Sequence, residues 1–72
     1  MKVDAFERVV MAEIVKSPDV NVTSFFRAAI RAIGRKFEAR SIDIPGVLTE
    51  LERLLPWQLS RDIKKSIEKA LR

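Results

Sequence analysis

Apolar side chains recur at intervals of three and four residues along this chain, and the pattern breaks near each of its prolines, Pro18, Pro45 and Pro56. This spacing places apolar groups on one face of an α-helix, whereas a half-buried strand needs apolar and polar residues to alternate. No segment alternates long enough to predict a strand. A chain of 72 residues is short enough to form one domain with a small core. We therefore predict an all-α fold, a compact bundle of about four short helices.

The helix boundaries follow from the prolines and from candidate caps. Pro18 disfavours helical geometry in the residue before it and ends the first helix. Asn21 or Thr23 is a candidate cap for the second helix, and Asp43 for the third. The fourth helix starts either at the third proline or, after a short turn, at Ser60. The predicted helices cover about residues 3–16, 23–40, 45–55 and 57–71.

The predicted core combines one apolar stripe from each helix. In the first helix the stripe contains Val3, Phe6, Val10 and Ile14. In the other three helices we expect the core to contain Phe26, Ile30, Ile33, Phe37, Leu51, Leu54, Ile63 and Ile67.

Four apolar residues are candidates for contact with a partner protein. Met11 and Val15 lie off the first apolar stripe, so the first helix is either the central helix or part of a dimer interface, and Phe25 similarly lies off the second stripe. Trp57 lies at a corner between helices, where it either plugs the end of the core or anchors a partner. These residues predict a protein partner or a homodimer.

The chain has no histidine and no cysteine. The commonest general base, the commonest zinc ligand and every thiol-based site or disulfide are therefore excluded. The carboxylates have the spacing of surface charges, and two glycines, Gly34 and Gly46, cannot make a glycine-rich phosphate loop. We expect no enzymatic activity, no cofactor and no metal.

No apolar run approaches the ~20 residues that cross a bilayer, so we expect no membrane association. Acids interrupt the N-terminal region where a signal peptide would be apolar, which predicts a soluble cytoplasmic protein. Abundant Arg, Lys and Glu beside few Asn and Gln is typical of thermophilic proteins. The chain ends inside the fourth predicted helix, as an excised domain of a longer protein would.

The net charge of +4 is unevenly distributed, because the second and fourth predicted helices are basic and the first and third are acidic. If the basic helices share one side of the bundle, that side is a positive face. Arg27, Arg31 and Arg35 recur at four-residue spacing on the second helix, and arginine forks suit phosphate oxygens. Lys64 and Lys65 on the fourth helix would extend this surface.

An alternative interpretation of the arginines is a solvated helix face with internal ion pairs. Their expected partners are then Asp19, Glu50 or Glu52, or more generally acids on the first or third helix. Like charges at four-residue spacing repel each other weakly, and such acids would relieve that repulsion.

Two DNA-binding motifs bear comparison with the third and fourth helices. The residues IPGV at 44–47 resemble the hairpin of the helix-hairpin-helix motif, which binds DNA backbone without sequence preference. Leu48 stands where that hairpin has its second glycine, so we prefer a proline-primed helix start. The third helix, turn and fourth helix are similar in order to a helix-turn-helix, whose recognition residues would be Ser60, Arg61, Lys64 and Lys65.

Two functions from different classes remain open. The favoured hypothesis is a small basic module that binds the phosphate backbone of DNA or RNA weakly and without strong sequence preference, alone or within a nucleic-acid-processing complex. The alternative is a protein–protein adaptor or dimerisation module that makes no nucleic-acid contact.

Overall fold

The computed structural model describes residues 1–16, 24–56 and 59–72, and it shows four α-helices and no strand in this part of the chain. The all-α prediction is therefore confirmed. The candidate caps Asn21 and Thr23, and also Trp57, lie outside the described residues. The helices are α1 (Val3–Ile14), α2 (Ser24–Glu38), α3 (Ile44–Leu54) and α4 (Arg61–Leu71).

The four helices pack as a closed ring. α1 packs against α2 and α4, and α3 packs against the same two helices. Within the described residues, no Cα atom of α1 lies within 8 Å of one in α3, and none of α2 lies within 8 Å of one in α4. The two basic helices therefore lie on opposite sides of the bundle, with an acidic helix between them on either side.

Side-chain caps define where α3 and α4 begin. Asp43 accepts a hydrogen bond from the backbone N–H of Gly46 at 2.9 Å, with Pro45 in the first turn of α3. Ser60 accepts from the N–H of Ile63 at 3.2 Å. Each cap satisfies a donor that the first turn of a helix leaves without a partner. The predicted Asp43 cap is confirmed, and α4 begins at Arg61 with Ser60 as its cap, in agreement with the second alternative.

The core fills the centre of the ring. Of the core predicted beyond α1, the side chains of Phe37, Leu54 and Ile63 are half-buried and pack against its edge. The other five core residues predicted in α2, α3 and α4 are buried. The buried apolar residues are Phe6, Val10, Ile14, Phe26, Ile30, Ile33, Val47, Leu51, Leu55, Leu59, Ile67 and Leu71.

The contact between α1 and α2 is tightest at Gly34. A Cβ atom at this position would lie 2.8 Å from Cδ1 of Phe6, closer than carbon atoms approach. Phe6 is fully buried, and its ring centroid lies 5.8 Å from that of Phe37, so the ring has no open space to move into. The absence of a side chain at Gly34 therefore allows the two helices to approach this closely.

We expect Gly34→Ala to lower the free energy of unfolding, although alanine is the better helix former by about 1 kcal/mol. Overpacking a filled core costs about 1–3 kcal/mol, which offsets that gain and leaves a net loss of up to about 2 kcal/mol. Urea unfolding measures the difference. Ala32→Gly, at an exposed position of the same helix, gives the propensity term alone. A Gly34→Ala variant more stable than the wild type would contradict the close contact.

Candidate nucleic-acid interface

Two of the three arginines predicted to bind phosphate are paired with acids of α1. Arg31 Nη1 donates to Asp4 Oδ1 at 2.8 Å and to Glu7 Oε2 at 2.5 Å. Arg27 Nε donates to Glu7 Oε1 at 3.2 Å. Each carboxylate oxygen of Glu7 thus accepts from a different arginine. We call Asp4, Glu7, Arg27 and Arg31 the arginine clamp.

The antiparallel packing of α1 and α2 brings the members of this clamp together. The backbone N–H of Val3 donates to Glu38 Oε2 at 3.1 Å, so the start of α1 lies beside the end of α2. One turn further along α1, Glu7 lies opposite the middle of α2. Arg27 and Arg31 are one turn apart, about 6 Å along the helix axis, so one carboxylate reaches both.

Hydrogen bonding favours the charged forms of Glu7 and Arg31. The hydrogen bond from Arg31 lowers the pKa of Glu7, burial of the carboxylate opposes this, and the hydrogen bond from Arg27 adds to the lowering. The hydrogen bonds to Glu7 and then to Asp4 raise the pKa of Arg31. Glu7 and Arg31 are therefore both charged at neutral pH, and the two arginines face carboxylates that relieve their mutual repulsion.

Neither of the two acids of α3 named above pairs with the arginines. Asp19 lies outside the described residues. Glu50 lies 3.9 Å from Lys36, and Glu52 lies 3.7 Å from Lys64, so both acids of α3 pair with lysines instead. The more general expectation, that an acidic neighbouring helix supplies the partners, holds for α1.

The five predicted phosphate-binding residues do not form one surface, because α2 and α4 lie on opposite sides of the bundle. Arg35 and Lys65 are exposed and make no ion pair in the described part of the chain. The side chain of Lys64 is partly buried against α3 and pairs with Glu52.

Sequence reasoning named Arg61 and Lys65 separately but did not group them with Lys69 as the cations that the bundle leaves uncompensated on α4. Arg61 and Lys69, like Lys65, are exposed and make no ion pair within the described residues. The four-residue spacing of these three residues was the signal that could have identified them. It was not decisive, because α2 carries the same spacing and two of its three spaced arginines are paired.

The candidate residues for a protein partner have different environments. Phe25 is 80% exposed and Val15 is 56% exposed, which is unusual for large apolar side chains. Met11 is half-buried and packs against the core. Together with Arg8 and Arg27, Met11 and Val15 line a shallow groove of about 540 Å³ on α1.

The two motif comparisons receive little support from the geometry. The residues IPGV form the first turn of α3, and the N–H of Gly46 already donates to Asp43, so it is not available to a phosphate. Of the candidate recognition residues, Ser60 caps α4 and Lys64 pairs with Glu52.

The described residues contain no cluster of three acidic side chains that could hold a metal ion. None of the four helices in the described ranges has the length and apolar composition of a membrane-spanning helix.

No protein family, no curated protein and no solved structure matches this chain.

The lowered pKa of Glu7 predicts acid sensitivity. Because this pKa is lower in the folded chain, the unfolded chain takes up the proton more readily. Above the ordinary carboxyl pKa, this difference makes its full contribution to the free energy of unfolding. The contribution is lost as the pH falls through the lower pKa that Glu7 has in the folded chain. We expect the melting temperature to fall less between about pH 5 and pH 3 in Glu7→Gln than in the wild type.

Thermal melts followed by circular dichroism across this pH range test the prediction. Glu52→Gln is the control, since Glu52 makes one ion pair at 3.7 Å on an exposed surface and should leave the pH dependence close to that of the wild type. Equal pH dependence of the wild type and Glu7→Gln would show that the clamp does not contribute in this way.

Proposed function

We propose that this protein binds the phosphate backbone of nucleic acid through its surface cations, without strong sequence preference. The supporting observation is the excess of cations over acids among the charged side chains that make no internal ion pair. In the described part of the chain, the acids without an ion pair are Glu38, Asp43 and Asp62, and the first two accept hydrogen bonds from backbone N–H groups. The cations without an ion pair are Lys2, Arg8, Arg35, Arg40, Arg53, Arg61, Lys65 and Lys69.

This imbalance favours a polyanionic ligand. Each surface cation that contacts a phosphate releases a counterion from the nucleic acid, and this release supplies most of the free energy of non-specific binding. Base-specific recognition needs side chains that reach the base edges in register, and no described feature of this surface indicates such an arrangement. Among the predicted site residues, Arg35 and Lys65 are free to contact phosphates directly. Arg27, Arg31 and Lys64 would first have to leave carboxylates.

A fluorescence anisotropy titration against labelled nucleic acid tests the proposal. We expect binding at low salt and a steep loss of affinity between about 50 and 200 mM salt, with a log–log slope of about −0.9 for each phosphate contact on duplex DNA. Scrambling the sequence of the probe should leave the affinity unchanged. No binding at low salt would contradict the proposed function.

A second candidate function is association with a protein, and it rests on the 80% exposure of Phe25. An aromatic side chain loses a large apolar surface to water when a partner covers it, which makes exposed aromatics frequent contact residues. Val15, also exposed, lies at the end of α1 that packs near the start of α2. The first test is self-association.

If the chain forms a homodimer through these side chains, sedimentation at micromolar concentration should show a dimer that Phe25→Ser with Val15→Ser converts to a monomer. Both side chains are exposed, so the melting temperature of the monomer's fold should change little. Ala12→Ser, on an exposed position of α1, is the control. A wild-type protein that sediments as a monomer would exclude self-association.

A further inference from the structure

The outer face of α4 carries three exposed cations in a row, Arg61, Lys65 and Lys69, which we call the α4 stripe. Successive members are four residues apart, so they lie about 6 Å apart along the helix axis and within ~80° of its circumference. The opposite face of α4 is buried in the core through Ile67 and Leu71. The core contacts of α4 therefore direct the stripe outward.

Two of the three acids near this stripe are paired elsewhere, and the third, Asp62, is exposed and makes no ion pair with the stripe. Glu52 of α3 lies 3.7 Å from Lys64, on the flank of α4 that faces α3. Glu68 lies 2.6 Å from Arg72, one turn further along α4. The stripe thus differs from the arginines of α2, two of which are neutralised by the carboxylates of α1.

We infer that the α4 stripe is the surface that contacts phosphates, and that its ligand is duplex DNA; this inference rests on the proposed function. In this assignment Arg27 and Arg31 hold α1 against α2 and do not bind the ligand. Charge complementarity is the argument: three uncompensated cations along one ridge match a backbone that carries one negative charge per 3.4 Å of helix axis on each strand. α4 contains no aromatic residue on which a base could stack, which favours contact with the backbone of a duplex.

The surroundings of the stripe argue against other polyanions. A helix that binds an anionic membrane inserts an apolar face into the lipid, but the apolar face of α4 is occupied by the core. An acidic protein partner would be expected to bury an apolar side chain at the centre of its contact. The exposed side chains around the stripe, Asp62, Ser66 and Ala70, do not provide such an anchor. The wide major groove of B-form DNA admits an α-helix, whereas the major groove of duplex RNA is deep and narrow.

The experiment compares two variants of the full chain that lose the same charge from different surfaces. The stripe variant is Arg61→Gln with Lys65→Gln and Lys69→Gln. The control is Arg8→Gln with Arg40→Gln and Arg53→Gln, which removes three exposed cations, without ion pairs in the described residues, from outside α4. All six side chains lie outside the core, and circular dichroism melts verify that both variants fold.

Anisotropy titrations with a labelled DNA duplex of about 20 base pairs measure affinity as a function of salt. We expect the stripe variant to bind at least about tenfold more weakly at low salt, with a log–log slope reduced by about 2.7, corresponding to three phosphate contacts. The control variant should retain most of the slope. A single-stranded probe of the same sequence should bind more weakly than the duplex.

The outcomes that overturn this inference are distinct from failure of the proposed function. Equal losses in the two variants would show that net charge acts diffusely and that the stripe is not the site. Tighter binding to an RNA duplex, or to vesicles of phosphatidylserine and phosphatidylcholine, would overturn the assignment to DNA. If the wild type binds no nucleic acid at low salt, the proposed function itself is wrong.

Discussion

The close contact between Phe6 and Gly34 determines how the rest of this bundle is arranged. Because Gly34 has no side chain, the ring of Phe6 lies directly on the backbone of α2 and also packs against Phe37. This contact brings α1 and α2 together in an antiparallel register. The short carboxylate side chains of Asp4 and Glu7 can then reach Arg27 and Arg31 across the helix pair.

The arginine clamp follows from this packing. It orients α1 relative to α2 more than it stabilises the fold. Ion pairs with partly exposed members are each worth little, since solvent and salt screen them. Burial of the apolar residues at the centre of the ring supplies the main stabilising free energy. The clamp mainly changes the charge of the surface. It pairs Arg27 and Arg31 of α2 with carboxylates of α1, so the positive charge without an ion pair lies on other parts of the bundle.

The ring also separates the two surfaces on which the candidate functions depend. α4 carries three of the eight cations that make no ion pair within the described residues, and α2, with exposed Phe25, lies on the opposite side of the bundle. Binding of nucleic acid along α4 would therefore leave Phe25 accessible to a protein partner. The two proposals can hold at the same time, and the variants described above change one surface without changing the other.

The sequence by itself determined the helices and most of the core, because three- and four-residue spacing, caps and prolines act within a few residues of one another. Asp43 could be recognised as a cap, and Phe26, Ile30, Ile33, Leu51 and Ile67 as core residues, from local pattern alone. Only the tertiary structure decided which cations are paired. Glu7 is 20 residues from Arg27 and 24 from Arg31, and their contact depends on the packing of α1 against α2. Arg31 and Lys65 have the same local spacing, but one faces an acidic neighbouring helix and the other faces solvent, and that difference exists only in the folded chain.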